Sequence, residues 1–483
     1  MGKMILTAGL LAATGLGAPA PALAQDAQSD LAAEVAAMRA KIESLEAKVK
    51  ELESGQQKAA AALPSWKGAP QWDDKQDGFS FKARGMLQLD AGYVGTPGPE
   101  LSGTVGGLNY NNLGWSARAR RAIIGLEGTL PGGFGYRAEF NFAQSTVDYE
   151  DVLITYQPDG SPLQVTVGNT FPLSSLETIT SSRLTSFLER AAFTDAFNYN
   201  RRLGVSAGLV DLKDTYTLTA GVWSQEINNN IFNRTAWQAS VRGTYSPILG
   251  STRLHLGANF QHRVAQRDVQ NVQYRSRPFT QVTDQRFVDT GAIAADGDDI
   301  AGLEFAAIMK SFHFAGEAQK VWVRGYRPGE AFGPNNGAGN GVFYADDPTF
   351  VGGYAEIGYY LTGETRGYKA GRWDRTKVLK PFSKGGWGAL QANLRLDYHD
   401  LRDQVADGAA LDAPNLVNGG RQLGYQASLI WNPTDYLRFQ AQYSHGAYTG
   451  GPRAATVDPS SPDPIDERDF DADSLAVRAQ VDF

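Results

Sequence analysis

From Phe79 to the last residue, hydrophobic and polar positions alternate in short runs. In the first run Phe79, Phe81, Ala83, Leu87, Leu89, Ala91 and Tyr93 fall on one side, and Lys82, Arg84, Gln88 and Asp90 on the other. Farther on, Trp237, Ala239, Val241 and Tyr245 oppose Gln238, Ser240, Arg242 and Thr244, and Leu390, Ala392, Leu394, Leu396 and Tyr398 oppose Gln391, Asn393, Arg395 and Asp397. The chain ends the same way, with Leu475, Val477, Ala479, Val481 and Phe483 against Ser474, Arg478, Gln480 and Asp482. A period of two is the signature of β-strands with two unlike faces. Sixteen strand-like segments begin near Phe79, Trp115, Phe134, Tyr149, Leu163, Arg202, Thr215, Ala236, Thr252, Ile300, Ser311, Thr349, Gly386, Gly420, Tyr436 and Ser474.

The same period would suit a soluble sandwich, but the connections favour a closed barrel in a membrane. Short turns (131–133, 158–162, 211–214, 432–435) mostly alternate with long loops (95–114, 171–201, 265–299, 447–473). That asymmetry, with abundant glycine and aromatics, predicts an all-β fold: a sixteen-stranded antiparallel transmembrane β-barrel over 79–483, apolar outside and polar within. Sixteen strands leave room for an aqueous channel. Arg118, Arg120 and Arg121 cannot all face the lumen from an unbroken strand, so a bulge or bend is expected there.

Three segments precede the barrel. Residues 1–24 read as a secretory signal peptide: Lys3, a short apolar run, then Ala22-Leu23-Ala24. Residues 25–53 carry heptads, with Val35, Ile42 and Val49 at a and Leu31, Met38, Leu45 and Leu52 at d. The flanking pairs Glu34/Arg39, Lys41/Glu46 and Lys48/Glu53 would match in sign across parallel chains. A short self-associating N-terminal coiled-coil helix is expected, placed in the periplasm. Residues 54–78 show no period and read as a linker.

Composition narrows the chemistry. There is no cysteine, which excludes disulfides, thiolate metal sites and cysteine nucleophiles. The net charge of −7 on an exported chain excludes nucleic acid as a partner. The five histidines have no metal-ligand spacing and no catalytic constellation stands out, so neither enzymatic activity nor a cofactor is expected.

Candidate chemistry lies in the lumen, where the narrowest lining sets selectivity. The irregular segment 171–201 is long enough to fold inside as a constriction loop, with Glu177, Arg183, Glu189 and Arg190 near the pore axis. Lumen-side Lys82, Arg84, Arg137, Arg242, Arg253, Arg263, Arg395, Arg438 and Arg478 could form an anion ladder, or could each pair with an acid such as Asp90, Glu139 or Asp397. Arg366, Lys369, Arg372, Arg375, Lys377, Lys380 and Lys384 make a basic turn at the periplasmic end by strand parity. The outer loops are acidic instead, at Asp296, Asp298 and Asp299 and across 463–473.

R-R-A-I-I-G-L-E-G (120–128), S-L-E-T-I-T-S-S (175–182), F-L-E-R (187–190), N-R-R-L-G-V (200–205), Y-Y-L-T-G-E-T-R-G-Y (359–368), G-G-W-G-A-L-Q (385–391), G-G-R-Q-L-G-Y (419–425) and N-P-T-D-Y-L-R (432–438) run in order along the chain. Together they resemble the phosphate-selective porin O and P family of bacterial outer-membrane porins. The resemblance implies a homotrimer of sixteen-stranded barrels, infolded loops, an arginine ladder and a basic periplasmic side in the anion path. One departure stands out: phosphate-specific members carry lysines in the constriction segment, where this chain has Thr178 and, nearby, only Arg183. The expected function is passive diffusion of small solutes across the outer membrane, biased towards anions such as phosphate. Two alternatives are a general or sugar-permeable pore without anion selectivity, and a tether from outer membrane to cell-wall peptidoglycan through the coil. Expected partners are other copies of the chain, outer-membrane lipid and small anionic or polar solutes.

Overall fold

The computed structural model describes residues 23–483 apart from 63, 67, 75–76, 98–103, 106–107, 110–112, 144–145, 226, 229–235, 328–340, 407–413 and 458. The expected signal segment lies outside the described residues as far as 22.

The chain divides into two compact units, 1–64 and 65–483. The first contains one helix, α1 (Leu23–Ala62). Its a and d side chains from Leu31 to Leu52 are all exposed in the single chain, Leu52 at 68%. The helix runs well past the expected boundary at Ser54. The rest of the expected linker also holds structure: strand Pro70–Asp74 pairs antiparallel with the first barrel strand, Gln71 opposite Lys82.

The second unit is a closed antiparallel barrel of sixteen strands. They are β1 (Phe79–Val94), β2 (Gly114–Leu130), β3 (Phe134–Asn141), β4 (Asp148–Tyr156), β5 (Leu163–Thr170), β6 (Arg202–Val210), β7 (Tyr216–Trp223), β8 (Trp237–Tyr245), β9 (Thr252–Val264), β10 (Ile293–Met309), β11 (Phe312–Gly325), β12 (Thr349–Tyr360), β13 (Ala389–Gln404), β14 (Leu416–Thr434), β15 (Leu437–Thr449) and β16 (Asp469–Asp482). Each pairs with its neighbour in sequence, and β16 closes on β1 from Ser474 opposite Val94 to Asp482 opposite Met86. Phe483 extends the seam: its N–H donates to Gly85 O (3.0 Å), and Gly85 N–H donates back (3.1 Å). A Cβ at Gly85 would come within 2.4 Å of the Phe483 ring, so the glycine makes room for the terminal aromatic. Closure leaves no strand edge in the hydrocarbon, where an unpaired amide has no water to bond.

The alternation is inside-out relative to a soluble protein. In β13 the apolar positions Leu394 and Leu396 are exposed, at 60% and 46%, while Arg395 and Asp397 are buried. The outward face carries aromatics near both rims, for example Phe312 against Tyr359 (4.3 Å between ring centres) at the short-turn end and Tyr93 against Trp115 (5.5 Å) at the long-loop end. This is the amphipathic belt a bilayer interface favours.

The expected bulge is present. Gln88 pairs with Arg121 but Leu89 pairs with Ala119, leaving Arg120 as the extra residue. All three arginines of β2 therefore reach lumen partners: Arg118 meets Asp284 (3.1 Å), Arg120 meets Glu189 (2.9 Å), and Arg121 donates to Gln88 Oε1 (2.7 Å).

Candidate functional site: a lumen filled from both ends

The segment 171–201, between β5 and β6, folds into the barrel. It contains two short helical turns, α2 (Leu176–Ile179), capped by Ser175 Oγ accepting from Thr178 N (3.2 Å), and α3 (Ala192–Ala196). An irregular backbone at membrane depth needs partners for its amides and carbonyls. The wall supplies them. Glu177 N donates to Glu317 Oε1 (2.7 Å), Leu188 N to Gln442 Oε1 (2.7 Å) and Ala192 N to Asp397 Oδ2 (2.8 Å). Ser186 O accepts from Ser428, Asn393 and Gln440, and Arg183 O accepts from Arg438 and Gln480, each of the last two at 3.1 Å. Phe187, Phe193 and Phe197 complete the docking as buried apolar plugs.

Two further segments join it. Residues 265–292, expected as an outer loop, turn inward instead. Ser276 Oγ meets His399 Nε2 (2.8 Å), Arg286 pairs with Asp195 (2.5 Å), and the Phe279 ring occupies the space left by Gly424. From the short-turn end the basic segment 361–388 sends in the hairpin Gly367–Lys369/Arg372–Asp374. Gly371 O accepts from Arg242 Nη2 (2.8 Å), Trp373 N donates to Thr180 Oγ1 (3.4 Å), and Arg366 donates to Leu184 O.

The candidate arginines sort into three groups. Arg84, Arg137, Arg183, Arg242 and Arg395 are ion-paired, which is the pairing alternative and not a free ladder. Arg84 binds Glu127 (2.7 Å) and Glu139 (3.1 Å), Arg137 binds Glu127 (3.0 Å) and Asp151 (3.2 Å), and Arg183 binds Glu139 (2.6 Å). Arg242 binds Glu304 (2.6 Å), and Arg395 binds Glu177 (2.8 Å) and Glu356 (2.6 Å). A second group gives its donors to neutral carbonyls. Arg190 binds Glu177 O and Thr180 O, Arg253 binds Asp214 O (3.0 Å) under the Tyr368 ring, and Arg438 binds Arg183 O and Thr185 O. Within the basic turn, Arg375 is taken by Asp482, while Lys369, Arg372, Lys377, Lys380 and Lys384 are exposed.

Of the four loop residues expected near the axis, Glu177 and Glu189 are docked on wall arginines instead. Glu189 sits between Arg120 and Arg478 (2.8 Å). Burial opposes its charge, but Arg120, Arg478 and Arg121 outweigh that and hold its carboxyl below the usual carboxylate range. Burial and the neighbouring Arg201 bring the Arg190 guanidinium down to about 10. Asp298, expected in an acidic outer loop, lies buried on β10 under Arg263 (2.5 Å). Sequence reasoning missed the wall amides Gln88, Asn393, Gln440, Gln442 and Gln480. Their recurrence at lumen parity was the available signal.

The lumen is filled unevenly. Inward side chains of β13–β16 are buried beneath the infolded loops. Along β1–β4 the charged side chains Arg84, Glu127, Arg137 and Asp151 stay partly open, Arg137 at 31% and Glu127 at 26%, while Gln88, Asp90 and Glu139 are buried. There a ribbon of alternating charge runs from Arg201 through Asp151, Arg137 and Glu127 to Arg84. At the long-loop mouth a cavity of about 880 Å³ is lined by Arg201, Arg202, Arg263, Arg275 and Arg286 against Asp195 and Asp298.

The family model described as "Phosphate-selective porin O and P" matches residues 104–483. An uncharacterized protein of Caulobacter vibrioides is 34% identical, over 98% of this chain and 95% of its own. Porin O of Pseudomonas aeruginosa is 26% identical over 76% of this chain and 82% of its own. The outer membrane channel DcaP of Acinetobacter baumannii, a solved structure, overlays with a TM-score of 0.46 at 14% identity, covering 85% of this chain and 99% of that one.

Proposed function

The chain belongs to the phosphate-selective porin O and P family, and on that premise we propose that it conducts small solutes through the outer membrane by diffusion, with a bias towards anions such as phosphate. Family and barrel together indicate the outer membrane and a channel. The anion bias rests on one observation, the excess of cations at both mouths. The long-loop cavity is lined by five arginines and two aspartates, with Arg201 also held by Glu150 and Asp151 on the wall. At the other end Arg372 and Lys369 are exposed on the inserted hairpin, and Arg366 donates from Nη2 to the Leu184 carbonyl. Such fields raise the local concentration of anions at an entrance. Between the mouths, solutes pass along the partly open charged ribbon of β1–β4, past Arg84 and Arg137.

The paired ribbon favours a second reading, a general porin whose crossed charges cancel. The reversal potential of single channels under a KCl gradient, followed by phosphate titration, separates the two. Anion selectivity with block by phosphate supports the bias. Cation selectivity or no response to phosphate leaves the general porin. The assembly we propose is the homotrimer that the family resemblance implies, with α1 self-associating in the periplasm.

A further inference from the structure

Near the short-turn end, a small cavity of about 30 Å³ lies where three elements meet. Its lining includes Arg183 from the infolded loop, Arg366 from the basic segment and Arg438 from β15. All three side chains are more than nine-tenths buried. In each, the Nε–H is buried and has no hydrogen-bond partner. Three orphaned guanidinium donors around one void are costly, because a buried charged donor without an acceptor loses its full solvation.

Charge points the same way. Arg366 and Arg438 give hydrogen bonds to the carbonyls of Leu184, Arg183 and Thr185, which carry no formal charge. The two cations also repel each other across the cavity. The aspartates on its lining offset them only in part. Asp482 is held by Arg375 and lies 3.9 Å from Arg183 Nε, and Asp435 accepts from Val378 N (2.8 Å). Asp374 is exposed.

We propose that this cavity is a resident-anion site. A small inorganic anion accepts the orphaned Nε–H groups of Arg183, Arg366 and Arg438 and so pins the infolded loop, the basic segment and the barrel wall together. The volume suits a chloride, or one oxygen of a phosphate, since roughly 10–15 Å³ already holds a water. Guanidinium N–H groups donate to either, and bind oxyanions as forks. The role is structural: the ion holds two loops in register and is separate from the stream of permeating solute along β1–β4.

The test uses the full-length protein purified in detergent at pH 7, exchanged into sodium gluconate, whose anion is too large for the cavity. Sodium chloride or sodium phosphate then replaces gluconate at constant ionic strength, and Tm is followed. A saturable rise of about 3 °C, seen with chloride or phosphate and not with gluconate, is expected from linkage. Arg366→Gln and Arg438→Gln should each abolish the anion-dependent part, while Arg438→Lys keeps some of it. Should a variant fold poorly, crystals of the unaltered protein grown in sodium bromide give a second readout, with anomalous density expected beside the three Nε atoms. Equal Tm in gluconate, chloride and phosphate overturns the proposal, as does bromide-free density at that position. The permeation reading fails separately: a cation-selective channel that is still stabilised by chloride keeps this site and loses the anion bias.

Discussion

Arg395 on the wall of β13 reaches Glu177 on the infolded loop at 2.8 Å, across 218 positions of sequence. The same guanidinium binds Glu356 on β12 at 2.6 Å and lies under the rings of Phe187 and Tyr354. One buried cation thus joins wall and loop. Glu177→Gln leaves Arg395 neutralised by Glu356, so we expect a loss of about 1–2 kcal/mol, the worth of one charge-assisted bond. Arg395→Ala strands two buried carboxylates and should cost about 3–5 kcal/mol. Thermal melts measure both. Open-channel noise should rise in each as the loop loosens. Equal stability of the two variants would show that Arg395 does not bridge wall and loop.

Arg372 is the opposite case, an exposed guanidinium on the hairpin inserted from the short-turn end, within electrostatic reach of Arg137, Asp151 and Arg242. Arg372→Glu reverses one charge beside the open side of the lumen. For an ion passing at about 6 Å in water, that change is worth ~1.4 kcal/mol, close to tenfold. A cation gains what the anion loses, so the anion-to-cation permeability ratio should fall by up to about a hundredfold, read from reversal potentials, and the effect should shrink in high salt. No change in the ratio would place Arg372 off the solute path.

Much of the barrel was legible because lipid and lumen impose opposite demands on alternate residues. All sixteen strands fall near their expected positions, several of them announced by clean alternation, and the Arg118–Arg121 parity conflict located the bulge. What lay beyond reach was the content of the lumen. A glutamine such as Gln442 shows the same alternation whether it faces water or holds Leu188 N of a loop. The inward course of 265–292 depends on contacts such as Ser276 with His399, 123 positions apart, which no local period records. The fate of each arginine depended on cross-strand acids, so composition could offer a ladder or a set of ion pairs but not decide between them. Strand Pro70–Asp74 was hidden because a five-residue edge strand leaves too short a pattern.

Glu189 gives a pH-dependent expectation. Its carboxyl is held below the usual range by Arg120, Arg478 and Arg121 against the effect of burial. Stability from such a group is fully present above the unfolded carboxylate value of ~4.3 and is lost as pH falls through the lower folded value. The difference in Tm between the unaltered protein and Glu189→Gln should therefore be constant from pH 8 to about 5 and shrink below about 4. A difference that already shrinks between pH 7 and 5 would mean that Glu189 is not held by these arginines.

The outward face of β13 tests the orientation of the whole barrel. Leu394 is 60% exposed at mid-strand, between Ile357 and Ala427 on its neighbours. Arginine placed there meets hydrocarbon if the strand faces lipid. Leu394→Arg should destabilise the barrel by about 2–4 kcal/mol in bilayers, measured by denaturant titration of vesicle-folded protein. Leu394→Ile should be near neutral. A tolerated arginine would put Leu394 against something other than lipid.

The absence of cysteine makes the association of α1 directly testable, since any single introduced cysteine crosslinks only to its own copy in another chain. In a parallel coil, a positions of neighbouring helices come within disulfide range, whereas f positions point away. Oxidation of Ile42→Cys in the full-length protein should give a covalent dimer on non-reducing gels, and Ala47→Cys, one turn on at f, should not. The contrast between the two positions matters more than either yield, because chance collision would link both equally. Crosslinking at Ala47 but not Ile42, or at neither, would mean that the exposed stripe from Leu31 to Leu52 is covered by something other than another copy of itself.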